Sequence, residues 1–287
     1  MEVLAKTNST LLRLGNVAAF IVTLAINGLA GTTVLNGRTT AQVSDLYSNP
    51  FTPAGYVFAI WGIIYALLLV FVIYQALPKQ KNKSFQKQIG ALFMLSSIFN
   101  VVWLFLWQYD YITLSVAVMF ALLATLIAIY LRLSIGKSNA PLTEKLCVHL
   151  PFSVYIGWIT IASIANVAAA LVSVGWNGFG LSAETWAIVA MSIALIVTLV
   201  VIVARRDIAY SLVVVWALAG IAIKQSMYPN IVFTAEIAIA VILVTLAITL
   251  VVFRLRHRRV ILTPFKDSAK RITLVVFRLR HRRADVK

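Results

Sequence analysis

NPFTPAGYVFAIWGIIYALLLVFVIYQAL, residues 49–77, is an apolar run with an unusual entrance. Positions 57–77 carry no charge and match the roughly 20 apolar residues that a helix needs to cross a bilayer. A plain anchor would need only leucine. Here two prolines, Gly55 and the rings of Phe51, Tyr56, Phe58, Trp61 and Tyr65 crowd the approach and the first turns. Seven more apolar segments follow the same rule: 15–35, 89–108, 111–133, 150–173, 185–204, 208–224 and 231–253, with 208–224 the shortest. The 287-residue chain is 61% hydrophobic, with a mean hydropathy of +0.94. Backbone polar groups in lipid must be satisfied within the protein, so runs of this length become helices. The expected fold class is an all-α polytopic membrane protein with eight transmembrane helices.

Lysine and arginine in the short loops set orientation. Lys6 and Arg13 precede the first segment, and Arg38 alone follows it. Lys79, Lys81, Lys83 and Lys87 lie between the second and third. Arg132, Lys137 and Lys145 lie between the fourth and fifth, and Arg205 with Arg206 after the sixth. Heavy and light loops alternate, which places both termini in the cytoplasm; the expected address is a bacterial plasma membrane. The net charge of +16 is concentrated in residues 254–287, which hold twelve Lys/Arg against two Asp. A juxtamembrane basic tail attracts anionic lipid, so anionic lipid is an expected partner and nucleic acid is not. The tail repeats ITLVVFRLRHRR, found at 248–259 and again at 272–283. The second copy is too short to span. It reads as a duplication without function or as a segment lying on the membrane surface.

Enzyme chemistry has little footing. No HExxH, CxxC, GxSxG or glycine-rich phosphate loop occurs, so no catalytic or metal-binding residues are assigned. Cys147 is the single cysteine and excludes an internal disulfide. His149 could ligate a haem iron, or sit as a polar residue at headgroup level. The first segment is too long for a signal-peptide core and is read as retained. Glu236, about 8 Å into the last segment at 1.5 Å per residue, calls for a partner. Lys224 across the preceding hairpin is the expected one, with proton or ion coupling as the alternative role.

Three segments carry aromatic faces. Phe58, Trp61 and Tyr65 fall at i, i+3 and i+7 on one helical face. Asn100, Trp103 and Trp107 repeat that spacing. Trp158, Ala162 and Asn166 fall at i, i+4 and i+8, with Pro151 and Tyr155 leading into them. Interhelical ring packing and interfacial belts account for Trp107, Trp176 and Trp186, which lie near segment ends. Trp61 and Trp158 lie nearer mid-depth. Rings with a few amides suit a flat, apolar guest.

These residues also carry a resemblance. TPAGYVFAIWGIIY, FNVVWLFLW and PFSVYIGWITIASIANVAAAL are similar, in order, to the second-, third- and fifth-helix motifs of the tryptophan-rich sensory protein, or translocator protein, family, also called the peripheral-type benzodiazepine receptor family. The resemblance spans roughly residues 15–175. Phe58 to Trp61 is one residue shorter than the family spacing, Ala59 and Ile60 replace its Gly-Pro, and Leu104 replaces its serine. Pro151 precedes Trp158 by seven residues rather than four. The chain therefore resembles a divergent, enlarged relative. The implied organisation is an N-terminus (1–14), a five-helix bundle (15–175) with a lid loop (36–56), a three-helix extension (176–253) and a basic tail (254–287). The resemblance implies a pocket for tetrapyrroles, sterols or aromatic ligands, formed by Trp61, Tyr65, Asn100, Trp103, Trp158, Ala162 and Asn166. The function so implied is a membrane receptor or carrier for a hydrophobic ligand. Porphyrin or haem would be bound as ligand, no cofactor is required, and a homodimer is left open. The alternatives are a secondary transporter using the last three helices and Glu236, or a tetrapyrrole-modifying enzyme.

Overall fold

The structure is a computed structural model and describes residues 2–253 and 255; side chains are described from Thr10 onward. The basic tail and its second repeat copy therefore lie outside the described residues, Leu255 excepted. The described chain is helical: α1 (Glu2–Gly31), α2 (Thr40–Leu46), α3 (Gly55–Ala76), α4 (Ser84–Ile89), α5 (Leu92–Gln108), α6 (Ile112–Arg132), α7 (Leu142–Ser173), α8 (Ala183–Arg205), α9 (Ile208–Lys224) and α10 (Pro229–Phe253). Six of these hold stretches long and apolar enough to cross a membrane, and α5 and α9 are apolar helices of 17 residues. At 1.5 Å per residue, 17 residues reach about 25 Å, the short end of the spanning range. The protein is an integral, multi-pass membrane protein.

Local chemistry sets the boundaries. α1 stops at Gly31, four residues before the expected end at 35. A left-handed Thr33 (φ 63°) closes it, and the Leu35 N–H returns to the Leu29 carbonyl. α3 opens as a 3₁₀ turn over Gly55–Ala59, just after Pro53. It ends at Ala76, because Pro78 holds Leu77 extended (ψ 138°). α7 starts eight residues before the expected 150 and passes through a π-helical turn, Lys145–His149, just ahead of Pro151. Only two residues join α8 to α9. Arg206 adopts the left-handed conformation that ends α8, and Asp207 caps α9 by accepting from the Tyr210 N–H.

α7 is the centre of the molecule. In its most apolar window 56% of residues are buried, against 17% in α10 at the periphery. Its most extensive contact is with α6, which packs in turn on α5, and α5 on α1. On its other side α7 packs closely on α9. A Cβ on Gly157 would lie 3.1 Å from the Tyr210 carbonyl oxygen, so glycine lets the two backbones approach. Asp207, only 6% exposed, ties three helices together. It accepts from Tyr130 Oη of α6 (2.8 Å), Ser153 Oγ of α7 (2.7 Å) and the Tyr210 N–H of α9.

α8 is held differently. At one end Trp186 lies tilted against Trp176 (4.9 Å between centroids, 58°) and donates from Nε1 to the Gly178 carbonyl (2.9 Å). At the other, Gly136 of the α6–α7 loop (φ 81°) presses on the Arg205 carbonyl, where a Cβ would stand only 1.9 Å away. The middle of α8 leaves a gap toward α6 and α7, while its Met191, Ala194 and Thr198 are buried away from that gap. α10 buries a stripe of Ile231, Ala235, Ala238, Ile242 and Leu246, which fall three or four residues apart on one helical face.

Candidate functional site

The expected lid, residues 36–56, is no plain loop. Thr39 and Gln42 form a capping box that starts α2, and the segment is fastened along both edges. On the α5 side Arg38 pairs with Asp110 (2.6 Å), Tyr47 Oη donates to the same carboxylate (3.1 Å), and Gln108 Nε2 donates to the Arg38 carbonyl (2.8 Å). Burial, reinforced by Asp110, raises the pKa of the Tyr47 hydroxyl above its ordinary value, so it stays protonated and able to donate. On the α9 side Lys224 pairs with Asp45, and Gln225 Nε2 donates to the carbonyls of Asn49 (3.2 Å) and Thr52 (3.1 Å). The Ala54 N–H donates to the Gly220 carbonyl (3.1 Å), and Trp216 Nε1 to the Val57 carbonyl (3.2 Å).

This corrects the expected Lys224–Glu236 pair. Lys224 faces the lid carboxylate, and Glu236 is exposed on α10. Trp107, read from its position as an interfacial belt residue, is 4% exposed under the lid and donates from Nε1 to the Thr40 carbonyl (3.2 Å).

Beneath the lid the aromatic faces of α3, α5 and α7 converge. Trp61 is at the centre. It stacks on Tyr65 (5.6 Å, 13°), lies tilted against Trp103 (6.0 Å), and meets Tyr155 (6.2 Å) and Trp158 (6.1 Å) edge-on. Phe58 closes on Trp158 (5.8 Å) and Trp107 stacks on Trp103 (5.8 Å). These edge-on and offset geometries are the favourable ones for ring quadrupoles. The cavity left among them is about 30 Å³, room for little more than one water. Trp61, Trp103, Trp158, Ala162 and Asn166 line it, with Phe58, Trp107 and Pro53. Tyr65 stands one ring back. Asn100 and His149 do not line it; His149 is buried within the π-helical turn.

The two asparagines hold helices together. Asn100 accepts from Asn27 Nδ2 of α1 (2.8 Å) and donates to Tyr155 Oη of α7 (3.1 Å). Asn166 accepts from Trp103 Nε1 (2.8 Å) and donates to Ser115 Oγ of α6 (2.8 Å). Replacing Asn166 with Leu should therefore strand the Trp103 N–H and cost about 1–2 kcal/mol. Thermal unfolding in detergent measures this, and an unchanged midpoint would mean that another acceptor takes over. Within the aromatic cluster the buried Trp158 Nε1 has no such partner and makes no hydrogen bond. The sequence pattern found the rings. It did not distinguish the amides already engaged between helices from the donor left open, because that depends on partners 50 or more residues away.

A much larger cavity, about 950 Å³, lies elsewhere, between α6, α7 and α8.

Comparisons place the chain. No curated protein matches it, and no solved structure matches it. A family model described as TSPO-like protein matches residues 12–249. The matched stretch does not stop near residue 175, where the motif resemblance ends; it runs on through α8, α9 and most of α10. A match over that span, on a helical membrane chain with three aromatic faces meeting under a lid, makes this chain a member of the TSPO-like protein family.

Proposed function

We propose that the protein is a membrane receptor or carrier for a flat, hydrophobic aromatic ligand bearing a hydrogen-bond acceptor, of which a porphyrin is the leading example. The observation that carries this reading is the buried, unpartnered Nε1 of Trp158 among the rings. An orphaned buried donor costs about 1–3 kcal/mol, a cost that an acceptor on a guest would relieve. At about 30 Å³ the site is far below the several hundred Å³ of an ordinary ligand pocket. In this closed packing Trp61 fills the space that a guest would take. Entry requires the lid to lift and Trp61 to turn. Ala162, partly exposed at the site's edge, is the small residue that leaves room for that movement.

The test is a titration of the detergent-purified protein with protoporphyrin, haem and a sterol, followed by tryptophan quenching. Trp158→Phe keeps a ring and removes the open donor. It should weaken binding by roughly ten-fold and leave stability equal or higher. Ala162→Phe should block the site with the fold intact. Trp186→Phe, remote from the rings, should bind like the parent. Parent-like binding by both site variants would refute the assignment, and turnover of bound ligand to product would replace it with an enzyme.

A further inference from the structure

The cleft between α6, α7 and α8 is a second site, separate from the aromatic one. At about 950 Å³ it lies at the upper end of the range for ligand pockets. It runs the length of α8, from Trp176 and Trp186 to Arg205. Twenty-three helical residues cover roughly 34 Å, about the thickness of the hydrocarbon core. The cleft is built into the fold: α8 is anchored at both ends, through Trp176–Trp186 and through Gly136 against the Arg205 carbonyl, and buries Met191, Ala194 and Thr198 away from the cleft, so the gap opens only on its side toward α6 and α7. Small side chains, Ala168 on α7 and Ala190 on α8, widen the gap where larger ones would close it. Aliphatic residues make up most of its wall. Several, such as Ile193 at 49% exposed and Leu131 at 50%, leave one flank open sideways.

The two ends differ chemically. The Trp176 end offers tryptophans and Asn177, with no charge. The other end offers Arg205, whose guanidinium lies over the Tyr130 ring, 5.8 Å from its centroid. Among the described residues, no acidic one lines the cleft. The nearby Asp207 carboxylate is already engaged by Tyr130, Ser153 and the Tyr210 N–H. Neither ion pair among the described residues involves Arg205. A half-buried guanidinium at the mouth of a membrane-long apolar cleft suits a phosphate head and a hydrocarbon chain.

We propose that this cleft binds an anionic phospholipid from the surrounding bilayer, its acyl chain along α8 and its phosphate at Arg205. The open flank lets the chain enter from the membrane, while Asn49, Pro50 and Phe51 of the lid close part of the cleft wall.

The test is the lipid that stays with the protein through exhaustive washing in mild detergent, read by native mass spectrometry and by phosphate analysis of the extract. The parent should keep an anionic phospholipid. A parent that keeps none, or keeps a free fatty acid instead, overturns the proposal. Ala190→Trp should fill the cleft and cut retention by roughly ten-fold. Ala168→Phe, filling it from α7, carries the same expectation should the first variant fail to fold. Arg205→Gln should keep the chain but lose the preference for anionic over zwitterionic lipid by a similar factor. Ile196→Trp, on the 60% exposed face of α8 outside the cleft, should retain lipid like the parent. Parent-level retention by a folded Ala190→Trp or Ala168→Phe variant overturns the site. None of these residues touches the aromatic cavity, so porphyrin binding should be unaffected whichever way the result falls.

Discussion

Asp207→Ala should lower stability by about 3 kcal/mol, the largest loss expected from any single side chain outside the aromatic cluster. The change removes the N-cap of α9, worth about 1 kcal/mol. It also leaves the Tyr130 and Ser153 hydroxyls buried without their acceptor. Polar contacts between membrane helices are often weaker than these figures suggest, but three donors share this one carboxylate. Asp207→Asn keeps an acceptor in place and should cost about 1 kcal/mol. Thermal unfolding in detergent reads both. Combined with Tyr130→Phe, Asp207→Ala should be clearly less than additive. Simple additivity would show that the carboxylate does not join α6 to α9.

The second large effect is expected at Gly220→Val. A Cβ there would lie 2.1 Å from Val57 Cγ2 and 3.7 Å from Pro53 Cβ, and the Gly220 carbonyl receives the Ala54 N–H. Overpacking of this kind costs about 1–3 kcal/mol. The strain falls on the junction of lid and α3, not on the bundle core. Amide exchange at Ala54 and Val57 should quicken by up to about thirty-fold, the equivalent of roughly 2 kcal/mol, while exchange in α6 and α7 stays as it was. Gly62→Ala is the matched control. A Cβ there meets nothing within 4 Å, and exchange should not change. Equal acceleration throughout the protein would mean that the valine unfolds it and does not free the lid.

The helices were legible because bilayer thickness imposes a length that composition must honour. Positions 57–77 announced α3 to within two residues at its start and one at its end. The start of α7 was hidden because Lys145 and His149 break the apolar run, yet the helix continues through a π-helical turn there. The rings of the candidate site were legible from spacing of three and four. Their arrangement was not: Trp107 stands near a helix end and looks interfacial until the lid is seen to cover it. The partner of Lys224 was out of reach for a related reason. Along the chain the nearest inviting carboxylate is Glu236, while Asp45, 179 residues away, is brought over it by the lid. The α8 cleft left no pattern either, since an apolar wall facing a gap has the same composition as one facing a neighbour.

The double fastening of the lid bears on how the protein can be cut. A fragment ending at Ser173 would keep every ring of the aromatic cluster and the Arg38–Asp110 edge of the lid. It would lose Trp216, Gly220, Lys224 and Gln225 together. Its lid would hang from one side, like a door left on a single hinge post. The five-helix portion is thus no minimal version of the molecule: the piece that finishes its roof is encoded some 40 residues beyond where its walls end.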